Sequence, residues 1–186
     1  MSGKIIVICA PSGTGKSTLI ARLKADHPEL EWSISCTTRL MREGEVNGKD
    51  YHFITKSEFE TQIKENQFIE WAKVHSNYYG TSKIFVDQGL RFGHKMLFDL
   101  DVQGADAMKQ IYGSEAHVIF IEPPSIEELE KRLRFRGTDK EHVIAERISN
   151  ARRELNRKHD YDHLILNDQV DRAYARLIAA VERILK

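Results

Sequence analysis

The sequence predicts an α/β fold: a parallel core sheet flanked by helices, carrying an inserted, mostly β lobe and a short second excursion. Three observations predict it. Apolar runs rich in Ile, Val and Phe fall at about 4–10, 95–101, 116–122 and 162–166, each the length of a buried strand. Amphipathic stretches of helical length separate them, and strands alternating with helices build parallel sheets covered on both faces. Between about 32 and 81 this rhythm stops. Short segments rich in Thr, Tyr, Trp and Phe take over there, punctuated by Gly44, Asn47-Gly48 and Gly80.

The first strand leads into a helix beginning inside 15–26, with Leu19, Ile20 and Leu23 on one face. The lobe at 32–81 holds one helix near 56–66, opened by the capping-box spacing Thr55…Glu58. The strand at 95–101 runs into a helix at 102–112. After the strand at 116–122, Pro123-Pro124 and Ser125…Glu128 start a helix over about 125–135. Arginines crowd around Gly137 in the second excursion, Arg132–Lys140. Thr138…Glu141 then starts a helix over about 139–158, with Val143, Ile144, Ile148, Ala151 and Leu155 along one stripe. A last helix occupies about 169–185. No fixed repeat or low-complexity linker divides the chain, so a single domain over 1–186 is expected. Its core comprises 1–31, 82–131 and 146–186, its inserted lobe 32–81 and its second excursion about 132–145.

Composition narrows the function classes. Of 186 residues 41% are hydrophobic, enough for one ordinary core. Lys plus Arg is 28 and Asp plus Glu is 28, a balance that argues against dependence on electrostatic attraction to nucleic acid. It leaves room for a local basic pocket. Ile5–Ala10, the longest apolar run near the start, is far too short to cross a bilayer, and no signal-peptide pattern precedes it. No membrane role and a cytoplasmic address are therefore expected. Cys9 and Cys36 lack metal-ligand spacing and read as buried thiols, while the eight histidines form no catalytic constellation.

The sharpest local signal is Ala10-Pro11-Ser12-Gly13-Thr14-Gly15-Lys16-Ser17, lying between the first strand and the first helix. That context suits a phosphate-binding loop. Gly13 and Gly15 permit backbone angles that turn successive N–H groups onto phosphate oxygens, and the helix N-terminus adds partial positive charge. Lys16 would reach the β- and γ-phosphates of ATP or GTP, and the Ser17 hydroxyl would ligate Mg2+. The strict pattern begins with Gly, where Ala10 stands here. At the end of the apolar run at 95–101, Asp99 and Asp101 alternate along a strand and so share a face. One would serve the metal's water shell and the other a substrate group; the alternative is a capping aspartate before the next helix. In the lobe, Arg39 and Arg42 accompany Tyr51, Tyr78 and Tyr79, a mixture of guanidinium forks and hydroxyls suited to a phosphomonoester. Solvated surface arginines are the competing reading.

Taken together, Ser35-Cys-Thr-Thr-Arg39, Arg42-Glu-Gly-Glu45, Gly48-Lys-Asp-Tyr51, Phe68-Ile-Glu70-Trp, Asn77-Tyr-Tyr-Gly-Thr81 and Asp99-Leu-Asp101-Val-Gln-Gly104 closely resemble the guanylate kinases. The phosphate loop agrees, and the likeness covers essentially the whole chain. The resemblance implies the nucleoside monophosphate kinase fold, with core, GMP-binding lobe and lid. It also implies the reaction of ATP with GMP, and with dGMP, to give ADP and the diphosphate in purine nucleotide metabolism. It puts the GMP phosphate on Arg39, Arg42, Tyr51 and Tyr79, and the guanine near Ser35, Glu70, Thr81 and Asp101. Asp99 falls beside the acceptor and, through water, Mg2+. Arg132 and Arg136 match lid arginines, Arg147 another phosphate-contacting arginine, and Asn167 the adenine edge, although Asn167-Asp168 also reads as a helix start. Leu40-Met41 stands where the family often carries a proline before the second arginine, leaving the turn around Arg42 less constrained. Thr81 replaces a serine found in some members.

Two rivals differ in class. A kinase for another small molecule is disfavoured by Glu70, because a carboxylate accepts from guanine N1–H and the 2-amino group whereas adenine offers neither donor. A non-catalytic binding module on the same fold is disfavoured by Lys16 and Ser17, since such modules characteristically lack an intact phosphate loop.

Overall fold

The computed structural model describes residues 3–74, 76–135 and 140–186. In chain order its elements are β1 (Lys4–Cys9), α1 (Lys16–Asp26), β2 (Glu31–Trp32), β3 (Cys36–Thr37), β4 (His52–Phe53), α2 (Lys56–Lys64), β5 (Phe68–Val74), β6 (Asn77–Ser82) and α3 (Lys83–Phe92). There follow β7 (Lys95–Asp99), α4 (Val102–Tyr112), β8 (Ala116–Glu122), α5 (Ile126–Phe135), α6 (Glu141–Asn156), β9 (His163–Leu166) and α7 (Val170–Leu185). Five strands form a parallel sheet in the order β2-β7-β1-β8-β9, and four form a second sheet in the order β4-β3-β6-β5.

Strand β1 lies at the middle of the parallel sheet, and its alternation divides the core in two. Ile6 and Ile8 join Leu19, Ile20 and Leu23 of α1 and the inner face of α7, including Leu177 and Val181. Ile5, Val7 and Cys9 face the other way, onto Ala105 and Met108 of α4, Val86 of α3 and Phe120 of β8. Ile5 through Cys9 are fully buried, so cutting one of these isoleucines to Ala costs about 2–5 kcal/mol. Burial pushes the Cys9 thiol up to about 12 and the Cys36 thiol to about 11, and both cysteines are free. Neither is poised as a thiolate.

Helix starts follow the expected chemistry where it is local. Thr55 and Glu58 close a full capping box on α2, and the Ser125 hydroxyl accepts the Glu128 N–H at 3.1 Å ahead of α5. Helix α6 begins at Glu141 after Lys140; the expected start at Thr138 lies outside the described residues.

Two readings need correction. The strand expected over 95–101 stops at Asp99, and Asp101 is the N-cap of α4, its carboxylate accepting the Gly104 N–H at 2.8 Å. The shared strand face proposed for Asp99 and Asp101 is therefore absent: the chain turns at Leu100, and the helix claims the second aspartate. Helix α3 had no counterpart in the sequence reading. Its buried positions are few, Val86 and Gly89, while Ile84, Phe85 and Phe92 are exposed, which blurs the helical period.

The carboxyl ends of β1, β7 and β8 form one edge, where open α/β sheets bind ligands. The loop after β1 and the turn after β7 meet there, and the second sheet stands across from them.

Candidate active site

At this edge the segment 10–15 turns from β1 into α1. Gly13 and Gly15 have φ of +91° and +90°, in the left-handed region. A Cβ on Gly13 would come within 2.8 Å of Leu133, and one on Gly15 within 2.6 Å of the Asn167 amide. Both glycines are thus required by backbone angle and by space. Side chains from far along the chain hold the loop in shape. Asn167, 4% exposed, donates Nδ2 to the Thr14 carbonyl at 2.6 Å, and Arg132 donates to the same oxygen and to the Asn167 carbonyl, both at 3.3 Å. Glu128 steadies Arg132 from one turn back at 3.3 Å. Arg147 of α6 donates to the Ser12 hydroxyl at 3.1 Å.

Two cavities flank the loop. One of about 510 Å³ is lined by Gly15, Arg132, Phe135, Asn167 and Val170. Its ring, its branched aliphatic and its buried amide suit a flat heterocycle. The other, about 330 Å³, is lined by Ala10 through Ser17 with Asp101 and Glu154. Pro11 is buried behind the loop, and the Ser17 side is exposed at the first turn of α1.

Lys16 does not point into open solvent. Its ammonium pairs with Asp99 at 2.7 Å and donates to the Leu100 carbonyl at 2.5 Å. It therefore joins the loop to the end of β7, beside a third cavity of about 190 Å³ lined by Ser35, Tyr51, Thr81, Asp99 and Leu100.

The second sheet supplies that cavity's far wall. Glu70 of β5 stands opposite Thr81 of β6, after a register shift between Phe68 and Glu70 that re-aims the strand. Thr81, 1% exposed, donates its hydroxyl to the Glu70 carboxylate at 2.6 Å. Burial raises the Glu70 pKa above its usual 4.5, against the opposing effect of the Thr81 hydrogen bond. Nearby, Arg39 grips Glu45 with both arms, at 2.7 and 3.0 Å, and lies over the rings of Tyr51 and Phe53 at 5.4 and 5.6 Å. Tyr51 meets Tyr79 edge-on at 5.9 Å. The Arg39 guanidinium, followed by the Arg42 backbone N–H at 2.7 Å, holds Glu45 down to about 2.

The structure thus gathers Ala10 through Ser17, Arg132, Arg147 and Asn167 at one end. At the other it gathers Ser35, Tyr51, Thr81 and Asp99, with Glu70 behind Thr81 and with Arg39 and Tyr79 around Tyr51. Asp101 lines the loop cavity and is spent partly on capping α4. Arg42 is exposed, and its guanidinium makes no hydrogen bond or ion pair among the described residues. Arg136 lies outside the described residues. Two residues went unassigned in the sequence reading, Glu45 and Glu154. Glu154 falls seven residues after Arg147 on the same helical row, so spacing could have flagged it, whereas Glu45 lies six residues from Arg39 across an irregular turn and carries no such signal.

A phosphate-cradling loop at the strand edge of a parallel sheet, with a lobe set across from it, defines the P-loop kinase fold. The family model described as Guanylate kinase matches residues 2–184. A guanylate kinase from Shewanella violacea is 48% identical over 180 residues, covering 96% of this chain and 86% of the relative. One from Lawsonia intracellularis is 48% identical over 178 residues, covering 96% and 84%. The crystal structure of guanylate kinase from Anaplasma phagocytophilum superposes with a TM-score of 0.68 at 28% identity, covering 98% of this chain and 86% of that one. The chain belongs to the guanylate kinase family.

Proposed function

We propose that this protein transfers the γ-phosphoryl group of ATP to GMP and dGMP, giving ADP and GDP or dGDP. The observation that carries the reading is an acceptor cavity lined by Ser35, Tyr51, Thr81 and Asp99, with Glu70 hydrogen-bonded to Thr81 and with Asp99 joined through Lys16 to an intact phosphate loop. Glu70 accepts N1–H and the 2-amino group of guanine, with Ser35 and Thr81 beside it. Arg39, Arg42, Tyr51 and Tyr79 take the acceptor's phosphate. These contacts address groups that GMP and dGMP share.

No protein nucleophile is needed. An acceptor phosphate oxygen forms a bond to the γ-phosphorus as the bond from that phosphorus to the β–γ bridging oxygen breaks, and ADP departs with the electron pair. Lys16 leaves Asp99 and Leu100 for the β- and γ-phosphates, and Arg132, Arg136 and Arg147 share the charge that builds on the transferred group. Asn167 holds the loop beneath the adenine pocket. The lobe and the lid segment close over both substrates and keep water from the γ-phosphate.

The residues fit Mg2+. Among the described residues no group of three or more His, Cys, Asp and Glu could cage a metal. The loop end offers oxygen donors only, the Ser17 hydroxyl and, through water, Asp99, which is how Mg2+ binds alongside nucleotide phosphates. When bound, the cation offsets charge on the β- and γ-oxygens.

The reading places the reaction in the cytoplasm, with small-molecule partners and no nucleic acid. Among the described residues no helix is long and apolar enough to cross a membrane. A coupled assay with ATP and GMP, dGMP, IMP and AMP tests the proposal. GMP and dGMP should turn over, IMP should be intermediate and AMP should trail GMP in kcat/KM by roughly a thousandfold. Equal use of AMP would overturn the guanine reading, and no transfer to any monophosphate would overturn the kinase.

A further inference from the structure

We infer that Glu154 of α6 positions the water shell of the phosphate-bound divalent cation, an inference that rests on the ATP-dependent reading above. Helix α6 runs along the phosphate loop. Arg147 touches Ser12 at 3.1 Å, and Glu154 follows seven residues later on the same row, with buried Ala151 between them. Glu154 lines the loop cavity with Ser17 and Asp101, so its side chain reaches the space where the phosphates and their cation sit.

The carboxylate makes no hydrogen bond or ion pair among the described residues, although it is half-buried. Its neighbours on the helix are engaged elsewhere: Arg153 donates to Asn150, and Arg157 grips Asp106 at 2.8 and 3.1 Å. Burial first, and then the nearby Asp101, raise its pKa against the opposing charges of Arg153 and Lys16, so on balance the site does not favour the charge. A polyphosphate alone would make matters worse by repulsion. Water molecules on a cation reverse the sign: they are strong donors, and a carboxylate that accepts from them holds the cation's geometry without binding it directly. Glu154 is accordingly a positioning residue.

The two states of the nucleotide separate this role from a structural one. ADP affinity is measured calorimetrically, with excess Mg2+ and with chelator, for wild type and Glu154→Gln. Without metal the variant should bind ADP as well as wild type or roughly threefold tighter, because a like charge has gone. With Mg2+ it should bind roughly tenfold more weakly, as removal of an outer-shell partner does. The electron spin resonance of the Mn2+–ADP complex should change as well. Equal loss in both conditions, or no loss in either, would overturn the inference and leave the donor site standing. Failure of wild type to bind ADP under either condition would overturn the donor site and this inference with it. Should Glu154→Gln not fold, Glu154→Asp keeps the charge but retracts it; its Mg2+-dependent gain should fall while metal-free affinity stays unchanged, and an unchanged gain would overturn the role.

Discussion

Around the phosphate loop Asn167 and Arg132 donate to backbone carbonyls, whereas across the cleft Arg39 and Glu70 are each held by another side chain. Asn167 and Arg132 both donate to the Thr14 carbonyl, and Arg132 also reaches the Asn167 carbonyl. Such contacts fix the loop's path through its carbonyls without using its N–H groups. In the lobe, Arg39 is neutralised by Glu45 and Glu70 is satisfied by Thr81. Lys16, at the junction, belongs to the second kind through Asp99. On the proposed reading the donor end is therefore formed in advance, and the acceptor end is assembled from pairs that substrate must join or replace. The difference predicts that donor substitutions act on turnover and acceptor substitutions act on KM for GMP.

The largest break should come from Lys16→Ala. On the proposed mechanism the ammonium meets the transferred charge, so kcat should drop by about a thousandfold. The variant should melt close to wild type, because a partly exposed pair with Asp99 contributes little to stability. Stopped-flow or coupled kinetics together with a thermal melt decide it. A folded variant with near-normal kcat would remove the donor assignment.

Next in size is Glu70→Gln. An amide offers guanine a donor where the base itself has donors, and a buried mismatch of this kind costs on the order of 2–3 kcal/mol. KM for GMP should rise by roughly a hundredfold, with a smaller change in kcat, and the gap between GMP and AMP should narrow. If GMP, IMP and AMP keep the same ratios of kcat/KM in both proteins, another residue reads the base.

How much of this was legible beforehand differs between the same two ends. The loop is one contiguous segment, 10–17, so its strand, glycines, lysine and helix could be read together. Its brackets could not: Asn167 reaches Thr14 across 153 residues, and only the family resemblance pointed to it. The parallel sheet was visible in the apolar runs, since strands buried on both faces are apolar throughout. Helix α3 was not, because Phe85 and Phe92 face outward and dilute its stripe. Alternation extends the strand through Asp101 because it cannot show where a chain turns; the Gly104 N–H makes Asp101 a cap, the alternative the sequence also offers. In the lobe, the resemblance groups Glu70 with Thr81, the residue that binds it, but Arg39 could be named without its partner. Nothing in Arg42-Glu-Gly-Glu45 says which glutamate Arg39 will hold. Pairing is a property of the folded turn.

Glu45→Gln sharpens the comparison by asking whether such a pair orients or masks. The two-armed grip holds Arg39 against Tyr51 and within reach of Tyr79. If it orients, losing one charge-assisted arm leaves the guanidinium loose, and KM for GMP should rise by about tenfold with kcat within roughly threefold. If it masks, KM should fall. The orienting outcome is expected, because the Arg42 backbone N–H also binds Glu45 and keeps the carboxylate in place when phosphate arrives. A lower KM would refute preorganisation at the acceptor end.

The smallest expected effect is a pH dependence carried by Glu70. Burial raises its folded-state pKa above the usual 4.5, with the Thr81 hydrogen bond opposing. In the free protein the ionised form therefore costs stability above that raised value, and the cost vanishes below the unfolded value, where the group is protonated in both states. On the proposed reading guanine reverses the preference, since its N1–H and 2-amino group need the carboxylate, and bound GMP should draw the pKa down. KM for GMP should accordingly rise as pH falls from neutrality through the raised pKa of the free enzyme, by about twofold where pH equals it. The phosphate of GMP also titrates, near 6 by analogy with other phosphomonoesters, but it does so alike in every variant. Dividing the wild-type KM by that of Glu70→Gln at each pH cancels the phosphate and leaves the carboxylate. The ratio should climb towards acid. A ratio that stays flat from neutrality to the acid limit of folding would mean that Glu70 does not give guanine its charge.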